Sequence, residues 1–144
     1  MGQGWWRGAV AIGALIAVGA CDSTTDPDLK PTRAGISVTG SSTVPLRLVV
    51  STDFDEFVDP VDGTRGQSFI SADTLTISTL PYQSSVQLTD LGKIVVDLSN
   101  ASATEATVRL RVELDSGQQP YDREAIMSQG GALRYVFSFF SPTF

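Results

Sequence analysis

Five carboxylates, Asp53, Asp55, Glu56, Asp59 and Asp62, fall within ten residues of the stretch TDFDEFVDPVDGTRG, and no base interrupts them before Arg65. Carboxylates this close on a bent segment that ends in a Gly turn suit calcium, which gathers several oxygen ligands in flexible geometry. The EF-hand spacing is not met: after Asp53 and Asp55 the third ligand position is Phe57, and the required Gly is missing. The competing reading is a solvated loop between strands, with Phe54, Phe57 and Val58 dipping into the core. Carboxylate pairs also serve glycoside hydrolysis, where two acids flank a bond in a cleft. No cleft is marked out by the sequence.

Other chemistries are closed by composition. The 144 residues contain no histidine and one cysteine, Cys21. Ser-His-Asp and Cys-His catalysis therefore have no base, and neither an intrachain disulfide nor a multi-cysteine metal site can form. No G-x-S-x-G elbow occurs. The formal net charge of −6, without any basic run, opposes nucleic-acid binding, which depends on Lys and Arg neutralising phosphates.

The elements that must hold these side chains are strands. In ATVRLRVELDSG, Val108, Leu110, Val112 and Leu114 share one face while Arg109, Arg111 and Glu113 take the other, and Asp115-Ser116-Gly117 supplies a turn. TVPLRLVVS places Val44, Leu46, Leu48 and Val50 together, with Pro45 marking an edge or a strand start. KIVVDLS, DTLTISTL and SVQLTDLG repeat the period, and GISVTG and QSFIS add weaker candidates. ALRYVFSFF is apolar on both faces, as a central strand would be. Between Ser116 and Gly131 the period is lost; Tyr121–Gln129 reads as a short helix, with Pro120 at its start and Gly130-Gly131 as its stop. A connection this long is either a functional loop or a cover over an open end of the fold, with Ile126 and Met127 as plugs. Asn100-Ala101-Ser102 matches a glycosylation sequon and reads as a turn. About eight short strands with little helix predict an all-β fold, an antiparallel β-sandwich of immunoglobulin-like architecture. A small outer-membrane barrel is the alternative suggested by the aromatic end YVFSFFSPTF, although several strands fall short of the roughly 9–11 residues that span a bilayer.

Cys21 sits where AVAIGALIAVGA (Ala9–Ala20) gives way to DSTTDPDLKPT (Asp22–Thr32). Twelve uncharged residues behind Arg7 fit the apolar region of a secretory signal and fall short of the roughly 18 expected of a spanning helix. Val18-Gly19-Ala20-Cys21 resembles the lipobox of bacterial lipoproteins, with Val where Leu is commoner and Gly where Ala or Ser is commoner. The resemblance implies a diacylglycerol on the Cys21 thiol, cleavage between Ala20 and Cys21, and Cys21 as the mature N-terminus. It covers about the first 21 residues only. An uncleaved anchor with a free thiol, or cleavage by the ordinary secretory peptidase, remain the alternatives. The polar segment behind Cys21 cannot bury enough surface to fold and reads as a tether. Asp22 directly after the cysteine leaves inner or outer membrane undecided.

The chain thus divides into a signal peptide over 1–20, a lipidated cysteine and disordered tether over 21–32, and a β-sandwich over 33–144. The expected role is that of a lipid-anchored protein of the bacterial cell envelope, acting by binding or support rather than catalysis. Its partners would be the membrane, through lipid on Cys21, and an envelope protein or glycan, with no nucleic acid and no cofactor other than the candidate calcium ion. A calcium-dependent ligand- or glycan-binding module and a carboxylate-based hydrolase are the other functional alternatives.

Overall fold

The computed structural model describes residues 29–140; the signal peptide, Cys21 and most of the expected tether lie outside the described residues. Eight strands follow in chain order: β1 (Arg33–Ser41), β2 (Leu46–Val58), β3 (Arg65–Ile77), β4 (Tyr82–Gln87), β5 (Lys93–Ser99), β6 (Ala106–Leu114), β7 (Tyr121–Met127) and β8 (Ala132–Ser138). They form two four-stranded antiparallel sheets, ordered β4-β1-β6-β7 and β3-β2-β5-β8, packed face to face as a sandwich. The sheets stay separate and do not close on each other, so the fold is not a barrel.

Strict alternation builds the core. Val108, Leu110 and Val112 of β6 face Leu48, Val50, Ile94, Val96 and Leu98 of the opposite sheet in one buried cluster, joined by Ile36 and Val38 of β1. Arg109, Arg111 and Glu113 point outward from the same strand, as the period of two requires. Pro45 lies just before β2, where its missing N–H interrupts no ladder.

Several expectations give way to tertiary context. Tyr121–Gln129 is not a helix: Tyr121–Met127 is β7, paired antiparallel with β6 and placing Asp122 opposite Arg111. Asp122 accepts two bonds from the Arg109 guanidinium at 2.6 and 2.8 Å, cross-strand pairing that a helix could not offer. Met127 is buried as expected, whereas Ile126 is 69% exposed on the outer face. The acidic stretch is not wholly a loop, since Asp53, Asp55 and Glu56 belong to β2. Phe54 is fully buried there, but Phe57 and Val58 are exposed. QSFIS and DTLTISTL are one continuous strand, β3. ALRYVFSFF supplies β8, an edge strand rather than a central one.

Asn100, first residue of the sequon, is entirely buried. Its amide donates to the carbonyls of Thr104 and Met127 at 2.8 and 2.9 Å, and its Oδ1 accepts the Ser102 N–H at 2.9 Å. It is a structural stitch between the β5–β6 turn and the end of β7, closed to an incoming sugar.

Leu110 has no exposed surface and sits at the centre of the best alternating strand. Leu110→Ala should cost about 2–5 kcal/mol in chemical unfolding. Arg109→Ala, on the solvent face, should cost far less; a larger loss from the arginine would show that the two faces are misassigned.

Candidate functional site

The acidic segment lies on a hairpin that leaves the sandwich and returns over its outside. β2 and β3 run in register from Leu46↔Ile77 to Val50↔Asp73, then slip at Asp53↔Ser71 and again at Phe54↔Phe69. Ser51, 2% exposed, pins this bulge: its hydroxyl donates to the Ser71 carbonyl at 2.6 Å and accepts the Asp53 N–H at 3.3 Å. A bulge bends the strand and sharpens its twist. Beyond it, Arg134 of β8 donates to Gln67 Oε1 of β3 at 3.0 Å and lies 6.0 Å from the Phe69 ring. β3 and β8 are opposite edges of one sheet, roughly 14 Å apart at the usual strand spacing. They meet because the distal hairpin crosses the outer face.

That crossing explains a second apolar layer. Val49 and Val95 alternate with the core residues and so face outward, yet they are 8% and 0% exposed. Phe54, also fully buried and also outside the main core cluster, carries the Lys93 ammonium 4.9 Å above its ring, and the same ammonium donates to the Phe54 carbonyl. The cover also accounts for Val136 on the outer side of β8, which pairs with Val95 and is only partly exposed.

The five sequence-marked carboxylates are spread along this hairpin. Asp53 stands at the bulge. Asp55 and Glu56 line a shallow cleft of about 210 Å3 with Leu91, Lys93 and Phe140. Asp59 and Asp62 build the hairpin turn: Asp59 Oδ1 accepts the Val61 N–H and Asp62 Oδ1 the Thr64 N–H, both at 2.8 Å. The Thr64 bonds hold the Asp62 carboxyl below its ordinary range. Among the described residues, no three His, Cys, Asp or Glu side chains gather in a way that could hold a metal ion. Cys21 lies outside the described residues.

The sequence did not single out the end of the sandwich where the described chain begins. Lys30 Nζ donates to the Asp90 carbonyl at 3.0 Å, and Leu88 N–H to the Thr32 carbonyl at 2.8 Å. Asp115 receives the Thr32 N–H and hydroxyl at 2.8 and 2.6 Å and the Arg33 N–H at 3.1 Å. Partial desolvation raises the Asp115 carboxyl, but these three donors outweigh it and hold the group below its ordinary 3.8. Gly92, at φ +58°, lets Lys30 and Phe139 pack against the turn before β5; a Cβ there would stand 2.9 Å from Lys30 Cγ. The Thr89 hydroxyl ties this turn to the Thr52 carbonyl at 3.3 Å, so the base of the hairpin belongs to the same end. The only sequence signal was the turn chemistry of Asp115-Ser116-Gly117.

A wider cleft of about 390 Å3 opens where β7 and β8 meet, lined by Tyr121, Arg123 and Tyr135. The two tyrosine rings lie 5.2 Å apart, and burial pushes the Tyr135 hydroxyl up to about 12. Asp122 on its rim is already held by Arg109. No family model, curated protein or solved structure matches this chain.

Two outcomes are expected. Because folded Asp115 keeps its charge to lower pH than the unfolded chain does, its contribution is complete above about 3.8 and is lost as pH falls through the folded value. Hydrogen-exchange protection at Thr32 and Arg33 should therefore fall in acid, and Asp115→Asn should remove that dependence. With the carboxylates dispersed, millimolar calcium and magnesium should shift the melting temperature alike and weakly. A calcium-specific rise lost on Asp53→Asn with Asp55→Asn would restore the cation site.

Proposed function

We propose that this chain is a lipid-anchored lipoprotein of the bacterial cell envelope whose sandwich, immunoglobulin-like in architecture, acts by binding or structural support and not by catalysis. One observation carries the reading: Val18-Gly19-Ala20-Cys21 ends a short apolar run and places the only cysteine at the junction with a polar segment. A thiol there is the acceptor that diacylglycerol transfer requires. A single acyl chain gives only marginal membrane binding, so the second chain of a diacylglycerol makes the anchor firm.

The non-catalytic reading is supported by the missing histidine and by carboxylates committed to other work. Asp59 and Asp62 close a turn, Asp115 clamps the start of β1, and Asp122 answers Arg109. The cleft beside Asp55 and Glu56 falls below the roughly 300–1,000 Å3 of clefts that enclose a small-molecule ligand, and in the cleft of about 390 Å3 between β7 and β8 the one carboxylate, Asp122, is paired with Arg109. Extended contact with a large partner suits a surface of this kind better.

Cys21→Ser in a bacterial host should block processing and leave a larger, unlipidated precursor. Mass spectrometry of the wild-type chain should find a mature form beginning at Cys21 and carrying a diacylglycerol. An intact N-terminus from Met1, or an unmodified cysteine, would refute the reading.

A further inference from the structure

Exposed apolar side chains collect at the end of the sandwich where the described chain begins. Leu29, Leu91 and Phe140 are 57%, 49% and 59% exposed there. Phe57, Val58 and Val61 are exposed on the folded-over hairpin as well, Val61 being 91% exposed at its turn. Hairpin and end are physically joined, because Asp55 and Glu56 line one cleft with Leu91 and Phe140. Phe57 is presented by a specific contact: its ring lies across Gly66 of β3, so closely that a Cβ at Gly66 would stand 2.5 Å from it. Exposed large apolar side chains gathered at one end of a small domain point to an interaction site.

The position of the chain's beginning selects the occupant. Cys21 precedes Leu29 by eight residues, which span at most roughly 29 Å when fully extended. A lipid on Cys21 therefore keeps this end of the sandwich close to the bilayer surface. We infer that the apolar end formed by Leu29, Leu91, Phe140 and the Phe57–Val61 hairpin is a bilayer-docking surface that holds the sandwich against the membrane anchoring it. The inference rests on lipidation of Cys21.

Its chemistry is insertion of apolar side chains into the headgroup boundary, as for other interfacial elements. Charge works the other way. Asp55, Glu56, Asp59, Asp62 and Asp90 outnumber Lys30, Arg65 and Lys93 at this end, and Lys30 and Lys93 already donate to carbonyls of the chain. Docking therefore favours neutral headgroups and weakens on an anionic surface.

The mature chain provides a clean optical probe, because both tryptophans, Trp5 and Trp6, precede the cleavage point. The lipidated protein, its mass verified, is reconstituted in phosphatidylcholine vesicles as the single-tryptophan variants Phe57→Trp, Phe140→Trp and Ile126→Trp. Brominated phosphatidylcholine should quench the first two, with blue-shifted emission, and leave Ile126→Trp unchanged on the outer face of the other sheet. Val61→Asp added to Phe57→Trp should reduce the quenching, and so should replacing part of the lipid with phosphatidylglycerol. Unquenched Phe57→Trp and Phe140→Trp in a chain that carries its diacylglycerol would overturn docking and leave the anchor standing. A blue shift that follows protein concentration instead of brominated lipid would assign the surface to a second copy and equally overturn docking. A chain without diacylglycerol would remove the anchor and the docking inference together.

Discussion

The bulge at Ser51 is the constraint on which the rest of the sheet depends. Val49 and Val95 face away from the main core, and an open outer face would leave them in water. Burying a valine side chain is worth about 1.5–3 kcal/mol, so the sheet gains by being covered. The Ser51 hydroxyl makes the cover geometrically feasible, since it satisfies the backbone that the slipped register leaves unpaired. A polar side chain thus permits an apolar layer. Phe54 then fills the space under the bend, and Lys93 covers its ring while satisfying its carbonyl.

The same economy of polar groups governs the two ends. At one, Asn100 satisfies backbone carbonyls of two different segments with no exposed surface of its own. At the other, Asp115 gathers three donors from the strand start, and Gly92 removes the side chain that would keep Lys30 and Phe139 apart. Turns that would otherwise hang free become parts of the sandwich. In consequence the first described residues leave the fold in a defined place, next to the base of the folded-over hairpin.

The carboxylates illustrate how one composition serves several purposes. A run of acids looks like a ligand set while it is a line of text. Spread along a strand and the turn beyond it, the five do not gather: Asp55 and Glu56 border one cleft, and among the described residues no third carboxylate joins them as a ligand set. At the turn, Asp59 and Asp62 spend their oxygens on Val61 and Thr64 N–H groups. Charge remains on the hairpin, and with it solubility and a bias against anionic surfaces.

By itself the sequence determined what repeats or stands alone. The period of two in β6 and β5 specified strands and their buried faces, because a pleated chain offers no other way to segregate alternate side chains. The single cysteine behind a short apolar run carried the expectation of an anchor in the same local manner. Tertiary structure decided whatever depends on a partner distant along the chain. Tyr121–Met127 became β7 because the edge of β6 offered a backbone ladder and the core took Met127, with Tyr121 and Ala125 packed against it, partners that local helix signals could not register. β8 reads as a central strand because the hairpin covers its outer side, a contact between residues 67 and 134 that no window of sequence contains. Phe57 and Val58 were left exposed for a related reason: the bend at Ser51 carries them past the core that their hydrophobicity alone would have assigned to them.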